Sequence, residues 1–322
     1  MAPSGIEHRF VETNGIRLHV AEAGAGPAVV LCHGWPETWY SWRHQIPALA
    51  GAGFRVLAPD MRGYGSSDRP EPVDAYTQLH IAGDMVGLLD ALEIETAVII
   101  GHDWGAPAAW HSALMRPDRF RAVAGLSVPY RPRGKISAID AFKLAGMETI
   151  YMMYFQQPGV AEAEFERDVT RALRQVYYSA SGSLPEGKRW HAFVPPGRGL
   201  LDTTFDTEMP LPWLSAEDLA EYVRDFSASG FRGGFNWYRN LQRNWELMAP
   251  FAGAPIPQPS LFIAGARDGV IRMPGMRVDL EELKPVLPGI RRSVLIEGAG
   301  HWVQQEAPDK VNALLIEFLR DL

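Results

Sequence analysis

The chain has 322 residues, 47% hydrophobic and 21% charged, with a formal net charge of −7. That length and composition fit one large α/β domain or a core carrying an inserted part. The acidic balance argues against nucleic acid or an anionic membrane surface as the main partner, and no apolar run is long enough to span a bilayer.

MAPSGIEHRF at the start lacks the apolar centre of a signal peptide. HRFVETN and GIRLHVAEAG alternate across Asn14-Gly15 and read as a β-hairpin with a two-residue turn. EAGAGP is a turn rather than a dinucleotide loop, since no helix follows it. Buried strands are predicted at 28–33, 54–59, 97–101, 122–128, 260–266 and 293–298. The single cysteine, Cys32, lies in the first of these and reads as a small buried hydrophobe, which fits a reducing, cytoplasmic setting. LHIAGDMVGLLDAL, GAPAAWHSALM and VNALLIEFLRDL read as helices between or after the strands. The alternation predicts a mainly parallel sheet covered on both faces.

From about Arg131 to Met248 the alternation stops. AEAEFERDVTRALRQVYYS and SAEDLAEYVRDF read as helical stretches, separated by Gly- and Pro-rich loops such as VPPGRGLL and MPLPWL. This segment is read as a helical insertion between two strands of the core.

VIIGHDWGAP poses the chemical question. Asp103 sits between Gly101 and Gly105, where a buried strand gives way to a helix. Gly-x-Asp-x-Gly has the form of the elbow that presents a nucleophile, with Asp where Ser is usual. A carboxylate is ionised at neutral pH and suits displacement at a strained saturated carbon. The product is an ester of the side chain, so a base must then activate water. His301 follows the last predicted strand and Asp268 the one before it. The order nucleophile, acid, histidine is that of the α/β-hydrolase triad. Asp268 is expected to fix the imidazole tautomer and His301 to take a proton from water.

The sequence resembles the α/β-hydrolase-fold epoxide hydrolases, and the soluble type more than the microsomal. HGWPETWYSWRHQ (33–45), DMRGYGSSDRP (60–70), GHDWG (101–105), YMMYFQQPGVAE (151–162), GFRGGFNWYRNLQRNWE (230–246), ARDG (266–269) and GAGHWVQQEAP (298–308) carry the resemblance. It implies an α/β-hydrolase core over 1–130 and 249–322, with a mostly parallel sheet, and a helical lid over 131–248. It also implies that Tyr151 and Tyr238 donate to the epoxide oxygen, which builds alkoxide charge as the ring opens. The backbone N–H groups of Trp35 and Trp104 are the implied oxyanion hole, with His33 supporting the loop and Trp35-Pro36 often cis. Tyr154, three residues from Tyr151, is the nearest competing phenol.

The expected reactants are a small apolar epoxide and water, with no cofactor. Trp104, Met152, Phe155, Trp237 and Trp302 are the candidate substrate contacts, with Met147 and Met153 nearby. The remaining histidines, including His102 beside the nucleophile, show no metal-ligand spacing, and no metal is expected. Ser66 and Ser67 lie in RGYGSSDRP, which lacks the Gly-x-Ser-x-Gly pattern and reads as a loop. A haloalkane or haloacid dehalogenase would also use Asp, His and Asp, with Trp104 against the halide. Trp35, Trp104 and the paired tyrosines argue against it. A non-catalytic ligand-binding protein on the same scaffold has no need of the full set.

Overall fold

Among the described residues eight strands form one sheet: β1 (Glu7–Thr13), β2 (Ile16–Ala23), β3 (Ala28–Cys32), β4 (Arg55–Pro59), β5 (Ala97–His102), β6 (Phe120–Leu126), β7 (Ser260–Gly265) and β8 (Ile290–Ile296). The computed structural model describes residues 5–185, 187, 188, 190–273, 276 and 278–322. The spatial order is β1-β2-β4-β3-β5-β6-β7-β8. β1 and β2 form the expected hairpin, closed by Asn14 and Gly15 with φ of 45° and 76°, the signs a two-residue turn requires. β2 also pairs antiparallel with β4, and every later pairing is parallel.

From β3 the chain goes to β4 on one side, then returns to β5 on the other. The carboxyl ends of β3 and β5 therefore flank the point where strand order reverses, and such a crevice is where open α/β sheets bind ligands. All five residues of β3 and all six of β5 are buried. Helices α1 (Gln45–Gly51), α2 (Gln78–Ala91) and α3 (Gly105–Met115) pack on these strands and their neighbours.

Between β6 and β7 come α4 (Ala138–Leu144), α5 (Tyr151–Tyr154), α6 (Val160–Phe165), α7 (Val169–Ala180), α8 (Ala216–Ser229), α9 (Arg232–Arg239) and α10 (Leu241–Leu247). Among the described residues this insertion holds only isolated β-bridges, Ile150 to Phe193 and Leu211 to Leu214. The helical stretch expected at 161–179 is two helices. Asp168 caps α7, its carboxylate accepting from the Arg171 N–H at 2.9 Å, and that ends α6 a turn earlier. The chain closes with α11 (Leu280–Leu283), α12 (Val303–Glu306) and α13 (Pro308–Arg320). Among the described residues no helix is long and apolar enough to cross a membrane.

Two strand expectations shift. β6 stops at Leu126 rather than 128, because Ser127 takes φ +65° and breaks the extended run. β8 is not fully buried: it is the sheet edge, and Arg291, Arg292 and Leu295 are exposed there. Cys32 is buried against Met85, and burial pushes its thiol pKa up, so it stays a packed thiol.

Candidate active site

Asp103 is the first residue past β5 and has φ +50°. Left-handed backbone at a non-glycine residue costs about 1–2 kcal/mol. Its neighbours hold it there. The Asp103 N–H donates to the Leu126 carbonyl at 3.3 Å and the Ala106 N–H to the Asp103 carbonyl at 3.0 Å. The flanking glycines are required by contact. A Cβ on Gly101 would run into the Gly105 carbonyl oxygen, and one on Gly105 into that of Cys32. The turn thus projects the carboxylate over the ends of β3 and β5.

The HGWP loop meets it from β3. The Trp35 N–H donates to Asp103 Oδ1 at 2.8 Å, and the Trp35-Pro36 bond is cis. His33 braces this loop: Nδ1 bonds the Gly34 carbonyl at 2.9 Å, and Nε2 accepts from the Met61 N–H at 2.9 Å. Trp104 occupies the N-cap of α3.

His301 lies on the loop after β8, with Nε2 3.3 Å from Asp103 Oδ2. Its Nδ1 lies 3.1 Å and 3.2 Å from the two Asp268 carboxylate oxygens. Asp268 is itself fixed, since Oδ1 accepts from the Val270 N–H at 2.8 Å. Burial alone would favour neutral Asp103. The hydrogen bond and charge of His301, with help from Trp35, outweigh it and hold the carboxyl below its ordinary pKa. Burial would likewise lower the His301 pKa, but the charges of Asp268 and Asp103 carry it well above the usual imidazole value. Both directions favour a carboxylate facing an imidazolium.

Tyr151, the first residue of α5, and Tyr238, on α9, bring their rings to 5.8 Å between centroids. Burial, reinforced by the Asp103 charge, pushes both phenols above their ordinary value, so both stay protonated donors. Tyr154 is committed elsewhere, donating to Glu164 at 2.8 Å. Asp103, Tyr151 and Tyr238 line two cavities at once, of about 360 Å³ and about 680 Å³. Apolar side chains dominate the first, among them Trp104, Met152, Val128, Ile136 and Phe142. The second takes in His301, Asp268, Trp35 and Trp302, with the cationic Lys188 and Arg272.

Residues 27–308 match the family model of the alpha/beta hydrolase fold. Epoxide hydrolase A of Mycobacterium tuberculosis is 48% identical, over 98% of this chain and 97% of that one. An epoxide hydrolase of Caballeronia sordidicola is 44% identical, over 98% and 94%. The solved structure of an epoxide hydrolase from an endophytic Streptomyces superposes with a TM-score of 0.95 at 48% identity, covering 99% of this chain and 96% of that one. The chain belongs to the epoxide hydrolases of the α/β-hydrolase fold.

Not all expected contacts reach the cavities of this epoxide-hydrolase site. Phe155 is fully buried, packed on Phe235 at 4.5 Å and Tyr238 at 4.9 Å between centroids, and lines neither. Trp237 also lines neither, its indole N–H donating to the Arg62 carbonyl at 3.1 Å. It precedes Tyr238 by one residue, about 100° round the helix, so the two side chains leave α9 in different directions. Met147 and Met153 pack against the core outside both cavities. Sequence reasoning had no signal for Val128, Ile136 or Phe142, which come from loops and a short helix with no periodic pattern of their own.

His102 does more than pack. Its Nε2 donates to the His301 carbonyl at 2.7 Å, and its Nδ1 lies 2.7 Å from Glu37 Oε2. A carbonyl can only accept, so Nε2 carries a proton and a second proton lies between Nδ1 and Glu37. The same Glu37 oxygen accepts from the Gly34 N–H at 3.0 Å, and Ser127 Oγ donates to the His301 carbonyl at 2.7 Å. This buried chain ties the loop before Trp35 to the backbone of His301, through the residue beside the nucleophile. The one signal for it in the sequence is a charged Glu37 set among the aromatics of WPETWYSW. Ser67 is also occupied structurally, its hydroxyl donating to the Asp60 carbonyl at 2.6 Å.

Proposed function

We propose that this chain hydrolyses apolar aryl or alkyl epoxides to vicinal diols through an ester on Asp103. The observation that carries the reading is a carboxylate on the elbow with one oxygen on the Trp35 N–H and two neutral phenols beside it. Asp103 attacks a ring carbon while Tyr151 and Tyr238 donate to the ring oxygen, and one phenolic proton moves to the alkoxide. Oδ1 stays on the Trp35 N–H as the ester carbonyl oxygen, and the Trp104 N–H completes the oxyanion hole. Esterification removes the Asp103 charge, one of the two that hold His301 protonated. The imidazole pKa then drops, His301 gives up its proton to restore the phenol that ring opening deprotonated, and the neutral imidazole is a base when a base is needed. It deprotonates water, which attacks Cγ of Asp103, and the diol leaves.

The insertion serves as the lid, covering the reaction with α5 and α9. The apolar lining of the smaller cavity suits an aryl or alkyl substituent. The test is a single turnover of unlabelled enzyme in heavy-oxygen water. The expected diol carries no solvent label, and the label appears in the peptide containing Asp103. A first-turnover diol carrying solvent oxygen would mean direct attack of water on the ring.

A further inference from the structure

Outside the groups that touch substrate, one carboxylate is placed to act on the water base. Glu306, the last residue of α12, accepts three backbone N–H bonds and sits in no ion pair among the described residues. Its Oε2 takes the Gly182 N–H at 2.7 Å and the Gly300 N–H at 3.0 Å, and its Oε1 takes the Trp302 N–H at 3.0 Å. Gly300 and Trp302 are the two neighbours of His301. Gly182 belongs to the turn that follows α7 in the insertion.

Other contacts close the same joint. The His301 N–H donates to the Ala180 carbonyl at 2.9 Å, and the Trp302 indole donates to the Tyr177 carbonyl at 2.8 Å. The Arg267 guanidinium, one residue before Asp268, bonds the carbonyls of Gly182 and Leu184. A Cβ on Gly300 would run into the Gly182 nitrogen, and one on Gly182 into the Gly298 carbonyl oxygen, so the two backbones meet directly. Glu306 supplies the acceptors at the centre of that joint, where unpaired N–H groups would otherwise be buried.

We propose that Glu306 is a positioning residue for ester hydrolysis: it clamps both flanks of His301 to the end of α7 and so fixes the imidazole against the Asp103 ester. This rests on the ester mechanism above. Alkylation of Asp103 uses Asp103, Tyr151 and Tyr238, none of which contacts Glu306. Hydrolysis needs His301 Nε2, water and Cγ of Asp103 in one geometry. A displacement near 1 Å in such an array costs about 100-fold. Glu306 therefore separates the two half-reactions.

Glu306→Gln tests it, because the amide NH2 must face at least one N–H that the carboxylate accepts. Rapid quench with styrene oxide, read by intact mass, gives the alkylation and hydrolysis rates separately. The expected result is hydrolysis slowed by about 10- to 100-fold, accumulated ester, and alkylation within about threefold of wild type. Glu306→Asp keeps both carboxyl oxygens with a shorter reach, and is expected to slow hydrolysis less with the same alkylation rate; it carries the test if the Gln variant is insoluble. Unchanged hydrolysis, or equal slowing of both steps, would overturn the proposal. A wild type that never carries the adduct would instead bring down the ester mechanism, and this proposal with it.

Discussion

Asp103→Asn lowers kcat/KM for styrene oxide by about 10⁴-fold or more without unfolding the chain. Asparagine tolerates the left-handed backbone that Asp103 adopts, so the elbow survives the change. It also keeps an oxygen for the Trp35 N–H. It loses the charge that makes the side chain a nucleophile, and among the described residues no other carboxylate faces both cavities with the tyrosines. A second effect has a defined sign. Asp103 is one of two carboxylates raising the His301 pKa, so the imidazole in Asp103→Asn titrates at lower pH than in wild type. Histidine proton resonances followed through a pH titration check this. Activity within tenfold of wild type, or a His301 titration that does not move, would contradict the assigned roles.

Tyr151→Phe and Tyr238→Phe each lower the alkylation rate by about 10²- to 10³-fold, and the double variant falls further. The phenols are in a water-poor site, and burial keeps them protonated, so the donated hydrogen bonds act at low dielectric on the charge that develops on oxygen. Phenylalanine preserves the ring packing against Trp104 and Phe155, which isolates the loss of the hydroxyl. Single-turnover rates with KM measured alongside are the readout. Tyr154→Phe, which loses only the bond to Glu164, is the control and leaves alkylation within about twofold of wild type. A larger effect at Tyr154 than at Tyr151 would reassign the donor.

The sequence made β3, β5 and β7 legible because parallel strands covered on both faces are continuous apolar runs. It did not mark β8 as an edge, since whether another strand follows in space is not a local property. Asp103, Asp268 and His301 were legible for a related reason: each follows a recognisable strand in a short motif, and the fold brings such loops together. The chain from Glu37 through His102 to the His301 carbonyl was not, because its last acceptor is a backbone atom 199 residues away from His102. Glu306 escaped notice similarly, with all three of its partners being main-chain N–H groups. The expected substrate contacts divide by direction. Met152 and Trp302 face a cavity, whereas Phe155 packs on the rings of Tyr151 and Tyr238 and Trp237 is turned to the Arg62 carbonyl and the Trp104 ring.

The most direct test of the ester mechanism is the intact mass of His301→Gln after separate incubation with styrene oxide and with a 1-haloalkane. Without the water base the ester has no route to hydrolysis. The expected result is a shift by the whole mass of styrene oxide, mapped by peptide to Asp103, and none from the haloalkane. An alkyl adduct from the haloalkane alone would make the chemistry that of a dehalogenase, and folded protein with no adduct from either would contradict attack by Asp103.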